Sequence, residues 1–255
     1  MKFNLNADMA EGYGPWKMGD DTALLDIVSS ANIACGFHGG DHNIMGQTMG
    51  EAHAKGVSIG AHPGFLDLHG FGRRQMHLSV SEIERLMAYQ IGAALGMAAY
   101  AGAHITHVKA HGALSNMACA DGDMAHAICK AIASVDKSLI LLSPVLSQLS
   151  QKGRQSGLVI AEEVFADRRY MPDGQLVPRS QPEAMIHEPD DSLAQCLSIF
   201  VDGKLRAIDG TMLALKADSI CVHGDGPNAL ILAQKVRQGM EKNGFQIATL
   251  PEMVA

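Results

Sequence analysis

Four segments of this chain carry a histidine in the same local setting. They are Gly36-Phe37-His38-Gly39-Gly40-Asp41, Gly60-Ala61-His62-Pro63-Gly64, Lys109-Ala110-His111-Gly112 and Val222-His223-Gly224-Asp225-Gly226. Imidazole titrates near neutral pH, so it suits proton transfer or metal ligation. The Gly or Pro-Gly that follows each ring lets the chain turn sharply and lets a ligand approach the backbone. Four such coincidences point to a common site.

Alternation along extended segments supplies the other groups. Residues on one face of a strand recur every two positions, so Asn4, Asn6 and Asp8 share one face while Phe3, Leu5 and Ala7 share the other. His107, Lys109 and His111 form a second polar row, and Glu163, Phe165 and Asp167 a third. A buried polar row destabilises unless it is hydrogen-bonded or paired; rows meeting at one place read as a site. The candidate acids, bases and charge stabilisers are Asp8, His38, Asp41, His62, Lys109, His111, Glu163 and His223.

Arginines offer anion recognition. Gly70-Phe71-Gly72-Arg73-Arg74 is a glycine-flexed loop with adjacent guanidinium groups, able to grip a carboxylate or phosphate. Asp167-Arg168-Arg169-Tyr170 and Val177-Pro178-Arg179-Ser180 offer more of the same. Gly224-Asp225-Gly226-Pro227 at a helix start could cradle phosphate with N–H groups, though Asp225 would repel it unless a cation mediates. Histidine and aspartate suit zinc or another divalent ion. No spacing such as H-E-x-x-H commits the chain to one, so the metal stays open. His53, His69, His77, His104, His126 and His187 read as ordinary structural histidines.

The elements that must position these groups are strands at 2–8, 30–37, 57–61, 104–110, 139–142, 158–165 and 218–223, separated by helices. Asp41 caps a helix that stops before Gly56, and Ser79 with Glu82 forms a capping box. Ile83, Leu86, Met87, Ile91, Ala94, Leu95 and Ala98 then make an apolar helical stripe. Ser143-Pro144 reads as an N-cap followed by proline at the first helical position, with Gly157 just past that helix. Asp225 and Pro227 open the last long helix and Gly244 closes it; residues 204–216 read as a β-hairpin turned at Asp209-Gly210. Seven βα units without a dinucleotide fingerprint suit a seven-stranded (β/α) barrel of irregular TIM type, residues 1–255 forming one domain. An open parallel sheet is the alternative.

Composition sets the outer bounds. The chain has 255 residues, 20 basic and 27 acidic side chains and a formal charge of −7. An acidic chain without a basic tract is a poor nucleic-acid binder. Five widely spaced cysteines without a C-x-x-C pair, and a start that turns polar at once, point to a cytoplasmic protein with reduced thiols. Leu86 to Val108 carries no formal charge, but its alanines, glycines, Gln90 and histidines read as a buried helix leading into a strand. No membrane partner is expected.

Several of these segments stand together in the order and spacing of one family. Asn4-Leu5-Asn6-Ala7-Asp8, Ser30-Ala31-Asn32-Ile33-Ala34-Cys35-Gly36-Phe37-His38, Gly60-Ala61-His62-Pro63-Gly64, Gly70-Phe71-Gly72-Arg73-Arg74, His107-Val108-Lys109-Ala110-His111-Gly112-Ala113-Leu114, Glu163-Val164-Phe165-Ala166-Asp167-Arg168 and Cys221-Val222-His223-Gly224-Asp225 resemble the LamB/YcsF family. The resemblance runs from about residue 2 to 250. Asp8, Glu11, His38, Asp41, His62, Lys109, His111, Glu163, His223 and Asp225 match, while Ala7, Ala10, Ala110 and Ser115 stand where the family commonly has Cys, Gly, Pro and Tyr.

The resemblance implies a barrel similar to the polysaccharide deacetylase fold. It also implies ATP-dependent opening of 5-oxo-L-proline to L-glutamate by a 5-oxoprolinase whose subunits B and C are separate chains. ATP with Mg²⁺ is then the co-substrate, with Asp8 or Asp41 as base or Mg²⁺ holder. Asn6, Glu11, Arg73, Arg74, Asn116, Asp167, Arg168, Arg179 and Asp225 become candidates for binding substrate or phosphate. The chain has no G-x-x-x-x-G-K-[ST] loop, so the sequence does not say where ATP sits. Two alternatives use the same residues: a metal-dependent deacetylase or amidohydrolase on a sugar or small amide, and a substrate-binding subunit without its own chemistry.

Overall fold

The computed structural model describes residues 1–223 and 229–255. Strands β1 (Lys2–Met9), β2 (Ser30–Ala34), β3 (Ser58–His62), β4 (Ile105–Val108), β5 (Ile140–Pro144) and β6 (Ile160–Phe165) pair side by side in parallel. An antiparallel hairpin, β7 (Lys204–Arg206) and β8 (Met212–Ala214), comes next, at the place expected. It precedes β9 (Ser219–Val222), which pairs with both β6 and β1. That double pairing closes seven parallel strands into a barrel, which excludes the open sheet. A short β10 (Gln246–Ile247) lies against the start of β1.

The helices are α1 (Asp21–Leu25), α2 (His42–Ala54), α3 (Val80–Tyr100), α4 (Gly112–Ala120), α5 (Gly122–Val135), α6 (Gln148–Gln155), α7 (Pro189–Asp202), α8 (Ala229–Lys242) and α9 (Leu250–Val254). Among the described residues, no helix is long and apolar enough to cross a membrane. Phe3, Leu5 and Ala7 of β1 belong to the apolar core together with Met45 and Met49 of α2 and Ile83, Met87 and Ile91 of α3. The expected capping box starts α3: Glu82 N–H donates to Ser79 Oγ, and Ser79 N–H donates to the Glu82 carboxylate. Gln90 is buried on that helix, where its amide accepts from Gly64 N–H and donates to the Gly64 carbonyl. The helix thereby clamps the turn that follows β3.

The other face of β1 points into the barrel, and it is polar. Asn4 donates to Ser30 Oγ and the Ala248 carbonyl, and Ser219 Oγ donates to Asn4. One step up, Asn6 donates to Ser219 Oγ at 2.8 Å and to Glu163 Oε1 at 2.9 Å. A buried polar row is tolerable when its donors and acceptors are paired in this way. The interior is a hydrogen-bonded column rather than stacked aliphatic layers.

Two expectations need correction. Ser143-Pro144 does not start a helix: β5 runs through Pro144, which pairs with Glu163 of β6, and α6 begins only at Gln148, capped by Ser147. Proline is tolerated at a strand end, where its missing N–H is not needed, and Ser143 is fully buried against Ser147 Oγ. The second strand stops at Ala34, short of residue 37, because Gly36 turns the chain with φ +92°.

Ala10 also takes a left-handed conformation, φ +59°, at a position where the resemblance leads one to expect glycine. A Cβ is strained there. Ala10→Gly is therefore expected to raise stability by up to about 1 kcal/mol, seen as a higher urea midpoint with an unchanged slope.

Candidate functional site

The strand ends at one rim of the barrel hold three linked groups of side chains. The innermost is an ion triplet. Lys109 Nζ lies 2.9 Å from Asp8 Oδ1 and 2.9 Å from Glu163 Oε1, and it also donates to Asn6 Oδ1. Asn32 Nδ2 donates to both Asp8 and Asn6, while His107 Nε2 donates to Asn32 Oδ1. Burial works against the charge on Asp8, but His62 and Lys109 outweigh it and hold the carboxyl well below its usual range. Burial works against the Lys109 ammonium too, and Asp8 and Glu163 raise it well above its usual value. Both stay charged at neutral pH.

Above the triplet sit three imidazoles and a carboxylate. His62 Nδ1 donates to the Lys109 carbonyl at 2.8 Å, which turns Nε2 toward Asp8 Oδ2 (3.3 Å) and His111 Nδ1 (3.0 Å). His111 Nε2 donates to the Phe71 carbonyl at 2.8 Å. His38 stacks on His111 with ring centroids 3.6 Å apart, and its Nε2 meets Glu11 Oε1 at 3.0 Å. Burial pushes His38 and His111 well below the ordinary imidazole value, and pushes Glu11 up. Glu11, His38, His62 and His111 each offer a donor atom within 4.8 Å of the others, so this buried cluster could hold a metal ion.

Glycines make room for these rings. A Cβ on Gly60 would fall 2.3 Å from the His107 ring, and one on Gly64 2.6 Å from His38 Nδ1. A Cβ on Gly72 would fall 2.7 Å from His38 Cβ and 2.8 Å from His111 Cδ2. The glycines beside the histidines thus serve close packing of imidazoles, besides the turns the sequence suggests.

The third group pairs His223 Nδ1 with Asp167 Oδ2 at 2.7 Å, the ring stacked near Phe165. Burial disfavours the imidazolium, yet Asp167 more than offsets it and His223 is raised. Burial would raise Asp167, but His223 draws it below its ordinary value. A raised histidine gives stability that is full below its unfolded pKa of about 6.5 and lost as pH climbs through the folded value. The Asp167 share is present above about pH 3.9 and lost as pH falls through its lowered value. His223→Asn should therefore destabilise more near about pH 5–6, below the unfolded value, than at a pH above the raised folded value, measured by urea unfolding at both.

All three groups border a cavity of about 480 Å³ that Arg73, Arg168, Arg179 and Asn116 also line. Arg168 is buried, with Nη2 donating to the Val177 carbonyl; burial and the nearby Arg179 bring its guanidinium down to about 10. The rim thus gathers Asn6, Asp8, Glu11, His38, His62, Lys109, His111, Glu163, Asp167 and His223 with three arginines and Asn116.

Two sequence candidates stand elsewhere. Both Asp41 oxygens are used: Oδ1 caps α2 through Asn43 N–H and Ile44 N–H, and Oδ2 accepts from Gly14 N–H. Its carboxylate is a structural cap outside the cavity. Arg74 turns away to Asp67, its Nε donating at 2.9 Å, with 67% of its side chain exposed; only its neighbour Arg73 borders the cavity. Asp225, its phosphate-cradle turn and the helix opening assigned to it lie outside the described residues. The six histidines set aside as structural are all exposed.

Asn32 and Cys221 belong to the site without having been singled out, and His107, placed in a polar row by alternation, joins them through Asn32. Cys221 Sγ lies 3.1 Å from Lys109 Nζ, and burial pushes its thiol well up. Asn32 shares a face with Ser30 and Ala34, so alternation along β2 is the signal that would have found it.

Comparison with known proteins agrees with this architecture. The LamB/YcsF family model matches residues 3–255. A Bordetella parapertussis protein, named as the A subunit of 5-oxoprolinase, is 52% identical over 244 residues, 96% of this chain and 97% of its own. The crystal structure of the lactam utilization protein from Thermus thermophilus superposes with a TM-score of 0.92 at 41% identity, covering 98% of this chain and all of that one. The catalytic domain of a peptidoglycan N-acetylglucosamine deacetylase from Eubacterium rectale aligns with a TM-score of 0.52 at 11% identity, over 99% and 90% of the two chains. That likeness establishes a shared barrel fold. On the extent of the family match and the identity to its relatives, this chain belongs to the LamB/YcsF family.

Proposed function

We propose that this chain carries the ring-opening site of an ATP-dependent 5-oxoprolinase, acting in the cytoplasm with separate B and C subunits to convert 5-oxo-L-proline to L-glutamate. The observation that carries the reading is an ionised Asp8, held by Lys109, lining the same cavity as three arginines. The names of the relatives support the substrate.

A five-membered lactam is an unstrained amide and a weak electrophile. In this reading ATP, with Mg²⁺, phosphorylates the lactam oxygen and leaves the ring carbon open to water. The Arg168 and Arg179 guanidiniums, with Arg73, take the substrate carboxylate and the phosphoryl charge. Asp8 removes a proton from water, whose oxygen bonds to the ring carbon. The C–N bond breaks, and the ring nitrogen takes the proton that His223 holds against Asp167. That leaves γ-glutamyl phosphate, ADP having departed in the first step, and a second water hydrolyses it to glutamate and phosphate. Lys109 keeps Asp8 ionised throughout and steadies negative charge at the reacting carbon.

The test is reconstitution. The chain purified with its partner subunits is expected to form glutamate from 5-oxoproline only when ATP is supplied. The imidazole–carboxylate cluster favours a second reading, metal-dependent amide hydrolysis without a nucleotide. Amide cleavage that persists without ATP, or acts on acetamido sugars instead, decides for that reading.

A further inference from the structure

We propose that Glu11, His38, His62 and His111 form a binding site for a divalent metal ion, zinc being the ion their donor atoms fit best. The inference is independent of which amide the cavity accepts.

Hydrogen-bond accounting carries it. A carbonyl can only accept, so His62 Nδ1 and His111 Nε2 must carry the protons they direct at Lys109 O and Phe71 O. With both rings neutral, the opposite nitrogens, His62 Nε2 and His111 Nδ1, are lone pairs facing each other at 3.0 Å, with Asp8 Oδ2 a further acceptor 3.3 Å from the first. Glu11 Oε1, another acceptor, stands 3.3 Å from His111 Nδ1 and 3.9 Å from His62 Nε2. Such an arrangement repels itself unless a cation occupies its centre.

One proton shared by the two rings would settle a single contact, whereas four donor atoms that all lie within 4.8 Å of one another can share one ion. Zinc with bonds of about 2.0–2.1 Å in a tetrahedron sets its ligand atoms about 3.3–3.4 Å apart. The separations here, 3.0, 3.0, 3.3 and 3.9 Å, bracket that value. The bonds to Lys109 O and Phe71 O match the outer contacts that orient metal-bound imidazoles. His38 has no such bond at Nδ1; stacking on His111 and the backbone at Gly64 and Gly72 fix its ring. Glu11, His62 and His111 also border the cavity, so an ion among them has an open side toward a ligand. Bound there, it would polarise an oxygen or acidify a water only on taking a fifth ligand from the cavity side.

The full-length chain is stripped with a chelator and titrated with cobalt(II), then with zinc(II). Uptake is read by elemental analysis, visible absorption and thermal unfolding. One equivalent of cobalt with four-coordinate d–d bands, displaced by zinc, is expected, together with a higher unfolding temperature. Glu11→Gln and His62→Gln should each weaken binding more than about 100-fold, while Arg74→Gln should bind as the parent does. Circular dichroism shows whether each variant is folded, and Glu11→Gln, the mildest change, keeps the comparison usable if His62→Gln is not. Absence of stoichiometric uptake by the parent chain, or equal uptake by folded Glu11→Gln, overturns the proposal and leaves a shared proton in its place. No substrate enters the measurement, so its failure is distinct from failure of the 5-oxoproline reading.

Discussion

Lys109→Met is expected to destabilise the chain by about 3–5 kcal/mol and to abolish glutamate formation. Lys109 is 4% exposed, and its ammonium lies 2.9 Å from the carboxylates of both Asp8 and Glu163. The Phe165 ring covers it at 5.3 Å. Replacing it with an apolar chain of similar length leaves two negative charges in a poorly hydrated interior, with only His62, 3.3 Å from Asp8, to offset one of them. The loss is mainly the energy of stranding those charges, rather than the worth of the original pairs. The double variant Lys109→Met/Glu163→Gln separates the two roles, because it removes one of the stranded charges. It should recover more than half of the lost stability while remaining inactive. Urea unfolding at neutral pH and the reconstituted assay check both halves. A single variant as stable as the parent chain would show that the triplet is solvated in a way its burial denies.

Asp8→Asn should do the reverse, sparing the fold while lowering kcat by about 10²–10⁴-fold with little change in KM. The amide fills the same volume, and its oxygen can still accept from Asn32 Nδ2 and Lys109 Nζ. It cannot accept a proton from water. Lys109 keeps Glu163 as its counter-ion, so no unpaired ammonium is left behind. Steady-state kinetics on the reconstituted complex decides the matter. An unchanged kcat would remove Asp8 from the chemistry and leave a chain that binds substrate for a partner.

Alternation exposes much of this site before any coordinates. A strand has only two faces, so Asn4, Asn6 and Asp8 must point together, and polar side chains on an inner face demand a reason. The seven strands follow from the same periodicity, and the β7–β8 hairpin from its Asp209-Gly210 turn. Partners made by loops carry no such signature. Glu11 lies beyond β1, and its contact with His38 spans 27 positions that no local rule connects. Arg73 and Arg74 look equivalent in sequence; only the placement of Asp67 sends one outward. Asn32 reads as an ordinary polar residue among small neighbours until His107, 75 positions on, donates to it. Ser143-Pro144 fails for a different reason. Serine before proline suits a helix start and a strand end alike, and burial within the barrel decides between them.

Closure of the barrel has a consequence for how the chain is made. The seam joins Asn4–Ala7 to Ser219–Val222, pairings more than two hundred positions apart. Synthesis runs from the amino end, so most of the polypeptide leaves the ribosome before the seventh stave exists. Until then Asp8, Lys109 and Glu163 remain in water, where attraction between opposite charges is weak. Long-range parallel pairing is also slow to form. The reactive chamber is therefore among the last parts of the molecule to take shape, and a nascent chain stalled before Ser219 has no working interior.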